Sequence, residues 1–308
     1  MTYTRGTDLI QDIQKSQMMV KFKVREWDDP FNDNPKNSFK RTGKAVDETF
    51  DQITLYATAH AAAQYRTHAF SALVFPKYMR LLRWDRNGFV VTERLSWDSE
   101  ALHLFFKRFN HATPEARGVG TTVNTNPTLS CKSKTAIKDA LRRQAGDKLI
   151  SLDIKDNTYF AREKDIYAQI RNPIGCSMRT FTVCRKRDKG IFFMKDTWRI
   201  IDEDLKAEHE VYANLHAAKI PHIPELIDAA DVEGQTTLTQ DWDKNEPDDA
   251  AGSKGSGRTK SLRTLQHYRL VLERMGDSLE GAATAREIVT VMRDATMGEH
   301  PSALSLSI

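Results

Sequence analysis

Cysteine is nearly missing from this sequence. Cys131, Cys176 and Cys184 are the only three in 308 residues; an odd number without Cys-x-x-Cys spacing argues against both a disulfide framework and a thiolate zinc site. Long apolar runs are missing too. No uncharged stretch reaches the ~18 residues that a membrane-spanning helix needs, and the opening Met-Thr-Tyr-Thr-Arg-Gly-Thr-Asp offers no apolar core for a secretory signal. The chain is therefore expected in the cytoplasm or the nucleus, away from any membrane. Nor is one sign of charge in excess: 46 basic residues against 42 acidic ones leave a net charge of +4, which is too small to indicate a nucleic-acid partner through bulk electrostatics.

What is present, 40% apolar and 29% charged residues, suffices for one large core or two modest ones. Leu9, Ile10 and Ile13 fit a short opening helix, and Met18 to Val24 alternates as a strand does. Residues 28–44 are crowded with Asp, Asn, Pro and Lys and read as a mobile surface loop. Phe50, Ile53, Ala57 and Ala61 recur at helical spacing, and 69–76 is an apolar run of strand length. Asp85-Arg86-Asn87-Gly88 separates two further strands, and its Asn-Gly pair is expected to supply the positive φ values of a tight hairpin. Leu102, Phe105, Phe106 and Phe109 form another helical stripe; packing is the default role for these rings and for Trp84 and Trp97. A helix is expected over 136–143 and strands over 149–154, 181–185, 191–195, 236–240 and 268–275. Further helices are expected over 205–217 and 285–295. The run 243–261 has hardly an apolar group, so its composition predicts a disordered insertion. The division between two modules falls between 145 and 168.

One pair stands out chemically. Lys195 closes an apolar strand, while Glu208 precedes Val211, Tyr212 and Leu215 at spacings of three, four and seven, so its carboxylate shares their helix face and can turn toward the strand. Glu210 is the alternative partner if the helix register slips. Around this pair and upstream of it lie the runs from Tyr56 to Ser71, from Arg80 to Gly88, Phe193-Met194-Lys195-Asp196-Thr197-Trp198-Arg199, Glu208-His209-Glu210-Val211-Tyr212 and Pro221-His222-Ile223-Pro224.

Those runs resemble the fungal-type protein kinase family, over roughly residues 46 to 295. The resemblance implies an α+β fold in which an amino-terminal helix-and-sheet module precedes a protein kinase-like small lobe, an antiparallel sheet with one main helix, with the large lobe missing. It divides the chain into 1–45, 46–165, 166–295 and a tail, 296–308, that leaves the family pattern. Lys195 would hold the α- and β-phosphates of ATP, Glu208 would fix Lys195, and Glu273 and Met275 would offer backbone groups to the adenine. Gly175 is the sole glycine of the expected phosphate-covering loop, where a backbone without Cβ approaches phosphate best, so ATP is expected to bind weakly.

Phosphoryl transfer by the kinase scheme also needs His-Arg-Asp and Asp-Phe-Gly type sequences, which carry the proton-accepting and metal-holding carboxylates. Neither occurs in this sequence. The expectation is therefore a truncated, inactive form without magnesium, in which Asp294 is a solvated helix residue. Two other readings stand beside it. A strand bearing Lys23 could belong to a nuclease-like core, although Lys21, not an acid, stands two residues before it. The chain could also be a non-catalytic protein-interaction module.

Overall fold

A computed structural model describes residues 2–3, 13–142, 147–163, 167–168, 172–243, 263–273 and 281–298. In chain order its elements begin β1 (Thr2–Tyr3), β2 (Ser16–Phe22), α1 (Lys44–Ala63), β3 (His68–Val74), β4 (Tyr78–Asp85), β5 (Gly88–Val91), β6 (Leu95–Ser96), α2 (Glu100–His111), β7 (Val123–Asn124) and α3 (Cys131–Ala140). They continue β8 (Leu149–Ile154), β9 (Asn157–Arg162), β10 (Tyr167–Ala168), β11 (Arg179–Arg185), β12 (Ile191–Ile200), α4 (Glu208–Ala217), β13 (Leu226–Thr236), α5 (Thr239–Asp243), β14 (Leu265–Leu272) and α6 (Ala285–Gly298). This is a mixed α+β chain, compatible with a kinase-like fold. It forms two compact units, one of Met1–Thr121, Ala168–Ser177 and Gln235–Leu265, the other of Thr122–Tyr167, Met178–Gly234 and Gln266–Ile308. Among the described residues no helix is long and apolar enough to cross a membrane.

The first unit is built on a sheet of order β1-β2-β3-β4-β5, with β6 beside β4. β2 and β3 run parallel because α1 carries the chain between them. Alternation along β3 sends Leu73 to a cluster with Ile53 and Ala57 of α1, and sends Ala72 and Val74 to a cluster with Leu102 of α2. Helices thus cover both faces, which is why β4 is buried along nearly all its length. After the sheet, Gly118 is obligatory: at φ 88° it approaches so closely that a Cβ would stand 1.9 Å from the His68 carbonyl oxygen.

Three expectations fail here, each for a tertiary reason. The segment 28–44 is not a mobile loop throughout. Phe31 is fully buried, and so is Asp29, which accepts from Tyr78 Oη at 2.9 Å, Arg80 Nε at 3.0 Å and Arg94 Nε at 3.2 Å. Arg80 in turn donates to Asp33 at 2.7 Å and to the Thr92 carbonyl at 2.9 Å. A polar composition does not prevent burial when every charge finds a partner. The hairpin forms with Asp85 opposite Gly88, but Asn87 has no positive φ; only Gly88 does, at 155°. The turn is closed instead by Asp85 Oδ1, which accepts from the Asn87 N–H at 2.9 Å. The other Asp85 oxygen accepts from the N–H groups of Leu238 and Thr239 at 2.9 and 3.0 Å, so the strand expected over 236–240 ends at Thr236 and a helix starts at Thr239. Burial by itself would raise the Asp85 pKa, but these N–H groups and Arg83 hold it below the ordinary value.

His60 lies fully buried on α1, with Nε2 3.0 Å from the Ser16 carbonyl. Burial, and then the nearby Arg66 charge, lower its pKa from 6.5 to about 4. Between those values the unfolded chain binds a proton that the folded chain refuses. The contribution of His60 to stability is therefore intact above pH 6.5, is lost on acidification through that window and levels near pH 4, a loss of about 3 kcal/mol at 1.36 kcal/mol per unit. Urea unfolding across this range is expected to show the slope, and His60→Gln to make it shallower without abolishing it, because burial lowers His68 in the same way; an unchanged slope would assign the effect to other groups.

The second unit holds an eight-stranded sheet of order β13-β14-β12-β11-β9-β8-β7, with β10 beside β11. Along the chain the two units first part at Thr121/Thr122, whereas the sequence reading divides the modules between 145 and 168. The cause is strand pairing: β9 joins β11 through Phe160 and Cys184, so 149–162 belongs with the strands C-terminal to it. The sheet curls until its ends meet. Tyr159 Oη of β9 donates to Asp228 of β13 at 3.0 Å, and Arg269 of β14 donates to the Asp153 carbonyl of β8 at 2.9 Å. The expected insertion lies outside the described residues from 244 on, as do Leu9, Ile10, Met275 and the tail beyond Gly298.

Candidate nucleotide-anchoring site

Alternation along β12 divides its side chains. Met194, Asp196 and Trp198 are buried, while Phe193, Lys195 and Arg199 on the other face are partly exposed. That second face packs under α4: Phe193 and Tyr212 join Ala229, Tyr268, Leu270 and Leu272 in one cluster. Lys195 Nζ donates to both oxygens of Glu208, at 2.6 and 2.8 Å. The side chains remain 23% and 33% exposed, and one of the three ammonium hydrogens is left for a further acceptor. A phosphate oxygen is one acceptor that would suit that donor.

The helix register is fixed at its first turn. Glu210 is not the partner of Lys195; its carboxylate accepts from the Ala207 N–H at 2.6 Å and caps α4. The neighbouring orphan N–H, that of His209, donates to Tyr268 Oη at 3.1 Å. Burial pushes the Tyr268 phenol above its ordinary pKa, and Tyr268 is almost fully enclosed. Beside it Arg199 spans to Asp231 at 2.8 and 2.7 Å. β14 thus holds the helix end from which Glu208 reaches Lys195.

On the opposite face Asp196 is buried with two bases. His267 Nε2 lies 2.6 Å from its Oδ1, and Arg269 Nε donates to the same oxygen at 3.1 Å. Trp198 stacks on the His267 ring with centroids 5.0 Å apart. Burial alone would raise the Asp196 pKa; the neighbouring His267 and the Arg269 charge hold it well below the carboxylate range. Burial lowers the His267 pKa, more than Asp196 raises it. Sequence reasoning passed over Asp196, His267, Arg269 and Tyr268. The available signal was a charged residue at an inward strand position, between Met194 and Trp198.

The other expected site residues fare differently. Gly175 has the positive φ of a glycine turn, 99°, but it belongs to the first unit. Its N–H donates to the Arg86 carbonyl at 2.7 Å, and Arg86 reaches Ser177 Oγ at 2.6 Å. The hairpin turn therefore uses the Gly175 amide. The Glu273 N–H donates to the Glu225 carbonyl at 2.9 Å. Met275 lies outside the described residues. Among the described residues no group of three or more His, Cys, Asp or Glu is arranged to hold a metal. Lys23, singled out for a nuclease-like core, donates to Gln52 at 3.2 Å.

A family model described as fungal protein kinase matches residues 35–302, most of the chain. The chain belongs to the fungal protein kinase family. The match begins inside the segment expected as a separate amino terminus and runs past residue 295, where the family pattern was expected to end. Nothing among curated proteins matches the chain, and no solved structure does.

Proposed function

We propose that this fungal protein kinase family chain supplies the nucleotide-anchoring half of an ATP-dependent protein kinase site. The single observation that carries this reading is the ion pair between Lys195 and Glu208, 2.6 Å across on a strand and a helix. Glu208 neutralises and orients the ammonium, which keeps one donor for the α- or β-phosphate oxygens. By the family resemblance, backbone groups of Glu273, past the end of β14, and of Met275 two residues on are proposed to meet the adenine. ATP when bound supplies the transferable phosphoryl group. Since the sequence holds neither a His-Arg-Asp nor an Asp-Phe-Gly segment, this chain by itself is expected to hold nucleotide without transferring phosphate. Magnesium is expected to add little to its affinity.

Titration with a fluorescent ATP analogue tests this. Saturable binding is expected, weakened about tenfold or more by Lys195→Ala, the loss of a charge-assisted phosphate contact. Tyr268→Phe, which removes the hydroxyl holding the first turn of α4, is expected to weaken binding less while leaving the fold intact. Equal signal from the native protein and Lys195→Ala would sink the assignment.

A further inference from the structure

α2 of the first unit borders two cavities that the nucleotide reading does not use. One, of about 450 Å³, is walled by Phe70, Leu104, Phe105, Arg108 and Phe109. The other, of about 540 Å³, shares Phe109 and runs along Met18, Phe106, Lys107, His111 and Arg117. The rings form a continuous surface, with Phe70 5.7 Å from Phe105 and 5.6 Å from Phe109, and Phe106 5.4 Å from Phe105. Leu104 and Phe106 stay 39% and 37% exposed.

The charge around this apolar floor is one-sided. No carboxylate lines either cavity, in a chain with nearly as many acids as bases. Cations at the end of α2 complement the helix dipole, which accounts structurally for Lys107, Arg108 and His111. Arg117 is outside the helix and donates to Gln17, which lines the same cavity. A second copy of the chain is disfavoured as occupant, because an isologous contact would set the two cationic rims against each other. Nucleic acid has little use for a floor made of Leu104 and Ala101 beside the rings.

We propose that this groove docks an acidic amphipathic segment of a partner protein, with large apolar side chains on the phenyl floor and carboxylates against Lys107, Arg108 and Arg117. Apolar burial supplies affinity, and the cations select the sign of the partner and the register.

The test is an anisotropy titration of the full chain with a fluorescein-labelled peptide repeating Glu-Glu-Leu-Phe, beside the same peptide with Lys for Glu. Saturable binding of the acidic peptide alone is expected. It should weaken about tenfold or more in Lys107→Glu/Arg108→Glu and fall with added salt. Both residues are exposed, so the fold should tolerate reversal; Leu104→Asp, also exposed, is the second variant and should remove the floor contact. Equal binding of both peptides, or binding untouched by every variant, overturns the proposal. So does displacement of the peptide by oligodeoxythymidine at equal charge, or a concentration-dependent dimer in sedimentation that the double variant abolishes.

Discussion

Asp29→Ala is expected to destabilise the first unit by about 3–5 kcal/mol, the usual cost of removing one partner from a buried ion pair. Asp29 is fully enclosed and Arg80 is 1% exposed. Without the carboxylate, the Arg80 guanidinium keeps Asp33 and two carbonyl oxygens, but its Nε and the Tyr78 hydroxyl lose their acceptor in a place water does not reach. The segment around Phe31 would lose its anchor at the same time. At ordinary urea slopes the midpoint should fall by about 2 M. Asp33→Ala serves as the contrast, because Asp33 is 31% exposed and water can replace it. Equal midpoints for the two variants would show that the buried pair does not hold the segment.

Asp196→Ala is expected to cost the second unit as much, and here pH gives a second signature. Asp196 titrates below the carboxylate range in the folded chain, so its contribution is complete above the unfolded pKa of about 4 and is lost as pH falls towards the folded value. His267, whose folded pKa is lowered, acts in the same direction from near 6.5, because it gains its proton only on unfolding. The native protein should therefore lose stability steadily in acid, monitored through Trp198 fluorescence. The alanine variant should start lower and lose less between pH 5 and 3. Parallel pH curves for the two proteins would remove Asp196 from the account.

The two charged clusters occupy different levels of the hierarchy. Lys195 and Glu208 face partly outward and keep capacity for a ligand; Asp196, His267 and Arg269 satisfy one another and a ring of carbonyl oxygens inside the curled sheet. Adjacent positions on β12 thereby serve opposite ends. Alternation along one strand puts an ion-paired ammonium and a structural carboxylate back to back, so, on the proposed function, Asp196→Ala should impair nucleotide binding only to the extent that it unfolds the unit.

The sequence by itself determined the elements whose signals are local. The stripes that make α1 and α2, the strands on either side of Asp85 to Gly88, and the spacing that sets Glu208 on the Val211 and Tyr212 face of α4 are all consequences of side-chain period. Only the tertiary structure decided what long-range partners decide. Asp85 ended the strand at Thr236 and started a helix at Thr239 by binding the Leu238 and Thr239 N–H groups across the unit. Asp29 drew a polar segment into the core because Arg80 and Tyr78 were waiting there. Pairing of β9 with β11 moved the division between the units, and Arg86 claimed the Gly175 amide. A hydrophobic period is written in neighbouring residues, whereas the partner that makes a charge or an amide worth burying stands far along the chain and becomes visible only when the backbone brings it near.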